Sequence, residues 1–273
     1  MISISQASVS GNKPIYPKIS VITVVLNSKN LIERTMKSVL DQDYPNIEYI
    51  VIDGGSVDGT IKIINLYKSR LKYFLSEPDR GIYDAMNKGL LKAKGDWVNF
   101  MNAGDIFKSN STISEASKEM NSSADILYGS VEINYHKFLR VEAAGIPKNL
   151  WKGMQFSHQS TFVDLSYHKK NLFNINNKIV ADHEFFYKAY KSNIRFKNLK
   201  QTVSQVIIGG LSETNRYKTI TSSCTVICDG KLKPIIRIYY AIQILNLFFK
   251  NLIKIILPKT IKRKLILMKY ISK

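Results

Sequence analysis

A chain of 273 residues, 45 % hydrophobic and 22 % charged, carries enough apolar material for a sizeable core, which excludes a disordered or low-complexity protein. Its net charge of +19 is unevenly spread: Lys231 to Lys273 holds 11 Lys or Arg and no Asp or Glu, leaving 29 minus 21, or +8, for the first 230 residues. No nucleic-acid-binding signature accompanies that charge, so nucleic acid is not an expected partner, and two cysteines, Cys224 and Cys228, make neither a zinc site nor a disulfide framework and fit a reducing cytosolic compartment.

Residues 1–18, with their Ser, Gly and Pro and no long apolar run, read as a loose leader rather than a signal peptide. "ISVITVVL" (Ile19 to Leu26) is a continuous β-branched run, the pattern of a strand buried on both faces of a parallel sheet, and it ends at Asn27. A helix should follow, with Asn30 as candidate N-cap and Glu33 three residues on. "IEYIVID" (Ile47 to Asp53) is a second buried strand, broken by "GGSVDGT" before another helix. "LKYFLSE" makes a third strand, Ile82 to Lys94 a third helix and "WVNFM" a fourth strand. Alternating strands and helices predict a doubly wound α/β sheet, whose ligand crevice lies beyond the carboxyl ends of the strands. Asn27, Asp53, Asp58, Glu77, Asp79, Arg80, Asn102 and Asp105 all fall just after predicted strands.

Beyond Asp105 the pattern loosens. "DILYGSVEIN" and "FLRVEAAG" resemble paired strands, "SHQSTFVD" a strand entered through a polar turn, "ADHEFFYKAYKS" a helix, and Leu199 to Ile208 a further strand or two. The main domain is expected over 19–230 and a basic helical tail over 231–273. The tail segment "IRIYYAIQILNLFFKNLIKIIL" is interrupted by Gln243, Asn246, Lys250 and Lys254, so it lacks the roughly 18 clean apolar residues of a spanning helix. It suits a helix lying on anionic lipid, or one packing its apolar face on the domain.

Several residues have the chemistry of a site. Asp53, at a strand's very end beside two glycines, can accept from a ligand N–H or sugar hydroxyl; Asp58 is more simply an N-cap. The loop has neither a dinucleotide fingerprint nor the Lys of a Walker loop. "MNAGD" places Asn102 and Asp105 on a short turn that can offer oxygens to a hard divalent ion sharing its shell with water and phosphates. "ADHEFF" offers Asp182, His183 and Glu184 within one helical turn, where one carboxylate could serve as general base and the alternative is an acidic N-terminus stabilised by the helix dipole. His158 is either a ligand contact or a satisfied turn histidine.

"ISVITVVLN", "SVLDQDYPNIEYIVIDGGSVDGT" and "SEPDRGIYDAMNKGLLKAKGDWVNFMNAGD" together resemble the family 2 glycosyltransferases, with a looser likeness through "SHQSTF" and "ADHEFF". The resemblance implies a GT-A fold, a Rossmann-like, mostly parallel sheet with helices on both faces. It implies a nucleotide-sugar donor, a UDP-sugar by family habit, with Mn2+ or Mg2+. It places Asp53 at the uracil or ribose end, and Asp79, Arg80, Asp84 and Asn87 in the donor pocket, with Asn27, Asn102 and His158 expected around the same ligand. Asp105 would hold the metal, and Asp182, with Glu184 as second candidate, would be the catalytic base of an inverting transfer. Asn102-Ala103-Gly104-Asp105 stands where the common motif is Asp-x-Asp, and Val57 where Thr is usual. No Gln-x-x-Arg-Trp motif or membrane span is found, so a single transfer is expected rather than polymerisation. The expected setting is cytoplasmic, peripheral on the inner face of the cell membrane. There the acceptor would be a saccharide, plausible as a polyprenyl-diphosphate-linked one, destined for O-antigen, capsule or exopolysaccharide. A sugar nucleotidyltransferase would need a Gly-rich basic loop after the first strand, which Val24 to Asn27 does not supply, and a non-catalytic nucleotide-sugar binder is the other alternative.

Overall fold

The computed structural model describes residues 16–120, 123–210 and 214–256, with side chains through Ile253. The leader up to residue 15 and the tail beyond 256 lie outside the described residues. Strands β1 (Ile19–Val25), β2 (Ile47–Asp53), β3 (Tyr73–Ser76) and β4 (Trp97–Phe100) pair in parallel in the order β3-β2-β1-β4. Helices α1 (Ile32–Leu40), α2 (Thr60–Leu66) and α3 (Ile82–Lys92) connect them. β1, β2 and β4 are buried on both faces because alternate residues feed two cores, whereas the edge strand β3 is only partly covered. Ile22, Val24, Ile50, Ile52 and Phe100 pack with Met86 and Leu90 of α3. Val21, Val25, Val51 and Trp97 pack with Ile32, Met36 and Val39 of α1.

The second half extends the same sheet. β5 (Ile106–Phe107), helix α4 (Thr112–Ser117), β6 (Ile126–Asn134), β7 (Leu139–Glu142) and β8 (Thr161–Asp164) follow. Then come helices α5 (Leu165–Lys170) and α6 (Ala181–Lys191), strand β9 (Phe196–Ile207), and helices α7 (Arg216–Cys228) and α8 (Pro234–Ile256). The order continues β4-β8-β6-β9-β5, with β7 paired to β6 as the sequence predicts. β8 runs antiparallel to both β4 and β6, through the pairs Trp97↔Asp164 and Val98↔Val163 on the β4 side. This reversal brings the start of β8 to the carboxyl end of β4. Asn99 secures the junction, its Nδ2 donating to the carbonyls of Gln159 and Thr161 at 3.0 and 2.8 Å.

Local differences from the sequence reading have simple causes. α1 is entered by Leu31 and Ile32 N–H groups on the Ser28 carbonyl, not by an Asn30 side chain. The N-cap of α2 is Gly59 rather than Asp58, which lies one residue earlier and accepts from Thr60 N at 3.0 Å and from Lys29 N at 3.0 Å.

Candidate active site

Asp53 ends β2 fully buried. Its Oδ2 accepts from Gly55 N, Ser56 N and Ser76 Oγ at 3.0, 2.9 and 2.7 Å, whereas its Oδ1 is buried without a partner. A buried carboxylate oxygen left unbonded is costly, and a ligand N–H or O–H would satisfy it. The loop beside it is braced by Asn27, in left-handed backbone (φ 45°), whose N–H donates to Ser56 Oγ at 2.7 Å and whose Oδ1 accepts from Val57 N at 2.9 Å. A Cβ at Gly54 would meet the Asp79 carboxylate, so a side chain there would have to displace that group. Asp79 in turn accepts from Gly81 N at 2.7 Å, where α3 begins.

The other expected donor residues lie just before α3 and in its first two turns. Asp84 accepts from the Arg80 backbone N–H at 3.0 Å and from its guanidinium at 3.2 Å, and these bonds, the backbone one foremost, hold its carboxyl below the usual range. The Arg80 side chain is otherwise exposed, at 71 %. Asn87 is placed differently from expectation. Its Nδ2 donates to the Phe173 carbonyl at 2.9 Å and its Oδ1 accepts from Phe173 N at 3.0 Å, so both ends of the amide serve the fold.

Asn102, Asp105, His158 and Asp182 meet at one cavity of about 500 Å3, also lined by Tyr83 and Ile179. His158 lies in the 3-10 turn His158–Ser160 immediately before β8. Its Nε2 is 3.0 Å from Asn102 Nδ2 and its Nδ1 is 3.1 Å from Asp182 Oδ2. With the Asn102 amide donating, the imidazole is the Nδ1–H tautomer and donates to Asp182. Asp182 Oδ1 accepts from the His183 backbone N–H and lies 2.9 Å from the Tyr83 hydroxyl. Burial raises the Asp182 pKa, but the His158 and Tyr83 hydrogen bonds and the His183 N–H outweigh it and hold the carboxyl below its ordinary value.

Helix register separates the two base candidates, since residues two apart project about 200° from each other around an α-helix. Asp182 faces the cavity, while Glu184 is turned away to accept from Asn174, Asn177 Nδ2 at 3.0 Å and Lys188 Nζ at 2.6 Å. His183 also leaves the site, contacting Ser223 Oγ and the Leu150 carbonyl. Tyr83 and Gln159 were not singled out from the sequence; Tyr83 is adjacent to Asp84 in the "RGIYDA" segment, but its bond to Asp182 spans 99 residues.

The fit of a divalent ion can be tested on the donor set. Burial pushes the Asp105 carboxyl up to about 6, partly offset by Gln159 Nε2 at 2.7 Å. Asn102 Oδ1 is buried with no partner. Among the described residues no three His, Cys, Asp or Glu converge to hold an ion. One carboxylate and one orphaned amide oxygen fit a hard ion that keeps waters and takes its remaining ligands from substrate phosphates.

Residues 20–191 match the family model for Glycosyl transferase family 2, and the chain belongs to that family. It is 42 % identical over 101 residues to an uncharacterized glycosyltransferase of Mycobacterium tuberculosis, a match spanning 37 % of this chain and 38 % of that relative's length. The fold is shared with S. aureus TarS 1-349 in complex with UDP (TM-score 0.59, 21 % identity, 91 % of this chain and 78 % of that one). It is also shared with the mannosyltransferase PcManGT from Pyrobaculum calidifontis in complex with GDP-Man and Mn2+ (TM-score 0.62, 17 % identity, 87 % of this chain and 72 % of that one). The GT-A architecture inferred from the sequence is the one observed.

Proposed function

We propose that the protein transfers one sugar from a nucleotide-sugar, a UDP-sugar, to a hydroxyl of a saccharide acceptor, with inversion at the anomeric carbon and Asp182 as base. The observation that carries this is the joining of Asp182, through His158, to the Asn102–Asp105 turn at a single cavity. The orphaned Oδ1 of Asp53 supports a nucleotide at the end of β2. UDP and GDP-Man in the related folds support the donor class.

In this mechanism the acceptor oxygen attacks the anomeric carbon from the face opposite the nucleoside diphosphate. The new C–O bond forms as the bond to the diphosphate oxygen breaks, and one in-line displacement inverts the configuration. Asp182 Oδ2 takes the hydroxyl proton; the His158 hydrogen bond keeps that carboxylate ionised and aimed at the cavity. Asn102 orients His158. Asp105 and Asn102 Oδ1 would hold the divalent ion, Mn2+ or Mg2+, which when bound supplies positive charge to the leaving diphosphate. Arg80, whose side chain is exposed, would add a guanidinium to the phosphates. We assign the reaction to bacterial surface polysaccharide assembly on a lipid-linked acceptor; the basic apolar C-terminal region supports that setting.

The test is donor turnover across UDP-, GDP- and dTDP-sugars with a saccharide acceptor panel, with divalent metal and with chelator, beside Asp182→Asn and Asp105→Ala. Release of nucleoside diphosphate from one donor class, lost with Asp182→Asn while donor binding persists, is expected. No turnover together with no UDP binding would overturn the reading.

A further inference from the structure

A second cavity, of about 600 Å3, opens where the base of α8 meets α6 and the 3-10 helix Pro147–Lys152. Trp151, Tyr187 and Tyr190 wall it, and Lys148, Lys191 and Lys233 contribute to its lining. Lys233 is held by the Ile227 carbonyl at 2.5 Å, whereas Lys148 and Lys191 have no hydrogen-bond or ion-pair partner among the described residues. Concave surface of this chemistry, aromatic with unpaired ammonium groups, suits a phosphate attached to something apolar.

The neighbouring helix says what that apolar part is. α8 is fixed at its base by Tyr240 Oη donating to the Trp151 carbonyl at 3.0 Å and by Tyr239 packing edge-on against Trp151 at 5.2 Å. From there Ile235, Ile238, Ile242, Leu245, Phe249 and Leu252 recur at three- and four-residue steps and are all exposed. Ile235 belongs both to this stripe and to the wall of the cavity, so the two surfaces are continuous. α8 contains no acidic residue, and no helix among the described residues is long and apolar enough to cross a membrane. Exposed Phe248 and Ile253 widen the apolar surface beyond a two-residue seam, and no charged pairs flank it as a helix–helix zipper would require. Such a helix lies in the acyl boundary, with Trp, Tyr and Lys at headgroup level.

We propose that this cavity receives the phosphate headgroup of an anionic membrane lipid while the exposed stripe of α8 rests in the acyl layer. The docking deepens the transferase reading above, on which it rests for its purpose: the chain that leaves Trp151, in the wall of this cavity, reaches Met154 and Phe156 in the lining of the catalytic cavity, so a short segment joins the two.

The test is flotation of the full-length protein with vesicles of phosphatidylcholine alone and of phosphatidylcholine with phosphatidylglycerol. Binding to the anionic vesicles is expected, and Lys148→Ala with Lys191→Ala should lower the partition coefficient about 30-fold. Ile242→Ser with Leu245→Ser should also weaken it, with the Tm and UDP affinity of the parent retained. If the alanine pair lacks the parent's thermal transition, Lys148→Gln with Lys191→Gln carries the same test. Equal binding to neutral vesicles, an unchanged lysine variant, or a dimer that stays off vesicles would each overturn the docking. UDP affinity on the same samples separates the two readings: vesicle binding absent with UDP binding intact removes the docking alone, and UDP binding absent from the parent removes the transferase reading.

Discussion

The imidazole of His158 lies against Asp182, Nδ1 to Oδ2 at 3.1 Å, although one residue precedes a strand and the other opens a helix. The contact sets the electrostatics of the base. Burial alone would drive the Asp182 pKa upward, and the His158 bond is the largest influence bringing it down.

Replacing His158 by Ala removes that influence, so the Asp182 pKa should rise. Transfer needs the ionised carboxylate, and the acid limb of the kcat/KM profile should therefore move to higher pH. Asp182→Asn, by contrast, should lower kcat by about 100- to 10,000-fold on the parent's pH plateau and abolish the acid limb, with donor affinity kept. A pH profile of UDP release from both variants checks the pair, and an unmoved acid limb in His158→Ala would remove His158 from this role.

At the other end of the site, Asp53→Asn keeps the shape of the residue but replaces one oxygen by an amide. Loss of a hydrogen bond to the charged acceptor should weaken UDP binding by about 10- to 100-fold. Titration calorimetry with UDP measures it. Unchanged affinity would mean that the orphaned Oδ1 does not face the nucleotide.

Asn87→Ala should behave in the opposite manner. It strips both partners from the Phe173 backbone, leaving a buried N–H and carbonyl unsatisfied at about 1–3 kcal/mol each. Thermal unfolding should show a large drop in Tm, while UDP affinity below the transition stays at the parental value.

Glu48 gives a pH prediction for stability. Burial raises its pKa, but Lys94 N, Ser20 Oγ at 2.7 Å and Lys18 Nζ at 3.1 Å together lower it. A depressed folded-state pKa contributes stability above the unfolded value of about 4.3 and loses it as pH falls through the folded value. The parent should lose Tm across that acid window more steeply than Glu48→Gln, by scanning calorimetry.

The parallel half of the sheet was legible because β1 and β2 are dominated by Ile and Val with no regular polar alternation, and both faces prove to be covered. Asp53, Asn102 and Asp105 were legible as polar residues ending such strands. Two features were not. Choosing Asp182 over Glu184 required the helix register against the cavity, and the role of Asn87 depends on a partner 86 residues away. α7 was also missed: its hydroxyl residues have weak helix propensity and bond back to the preceding turn, as Thr221 Oγ1 does to the Tyr217 carbonyl and Thr225 Oγ1 to the Thr221 carbonyl, both at 3.1 Å.

The reversed direction of β8 between β4 and β6 decides which parts of the chain can cooperate. In a wholly parallel sheet a residue before a strand sits at the edge opposite to one that follows its neighbour, and His158 could not reach Asn102. The meeting is held by a ladder of two register pairs, Trp97↔Asp164 and Val98↔Val163, and by the clasp of Asn99. Activity is thereby tied to a seam at the centre of the sheet, where Trp97, Val98, Phe162 and Val163 are all buried, so unzipping β8 from β4 would open the core and separate His158 from Asn102 in one event.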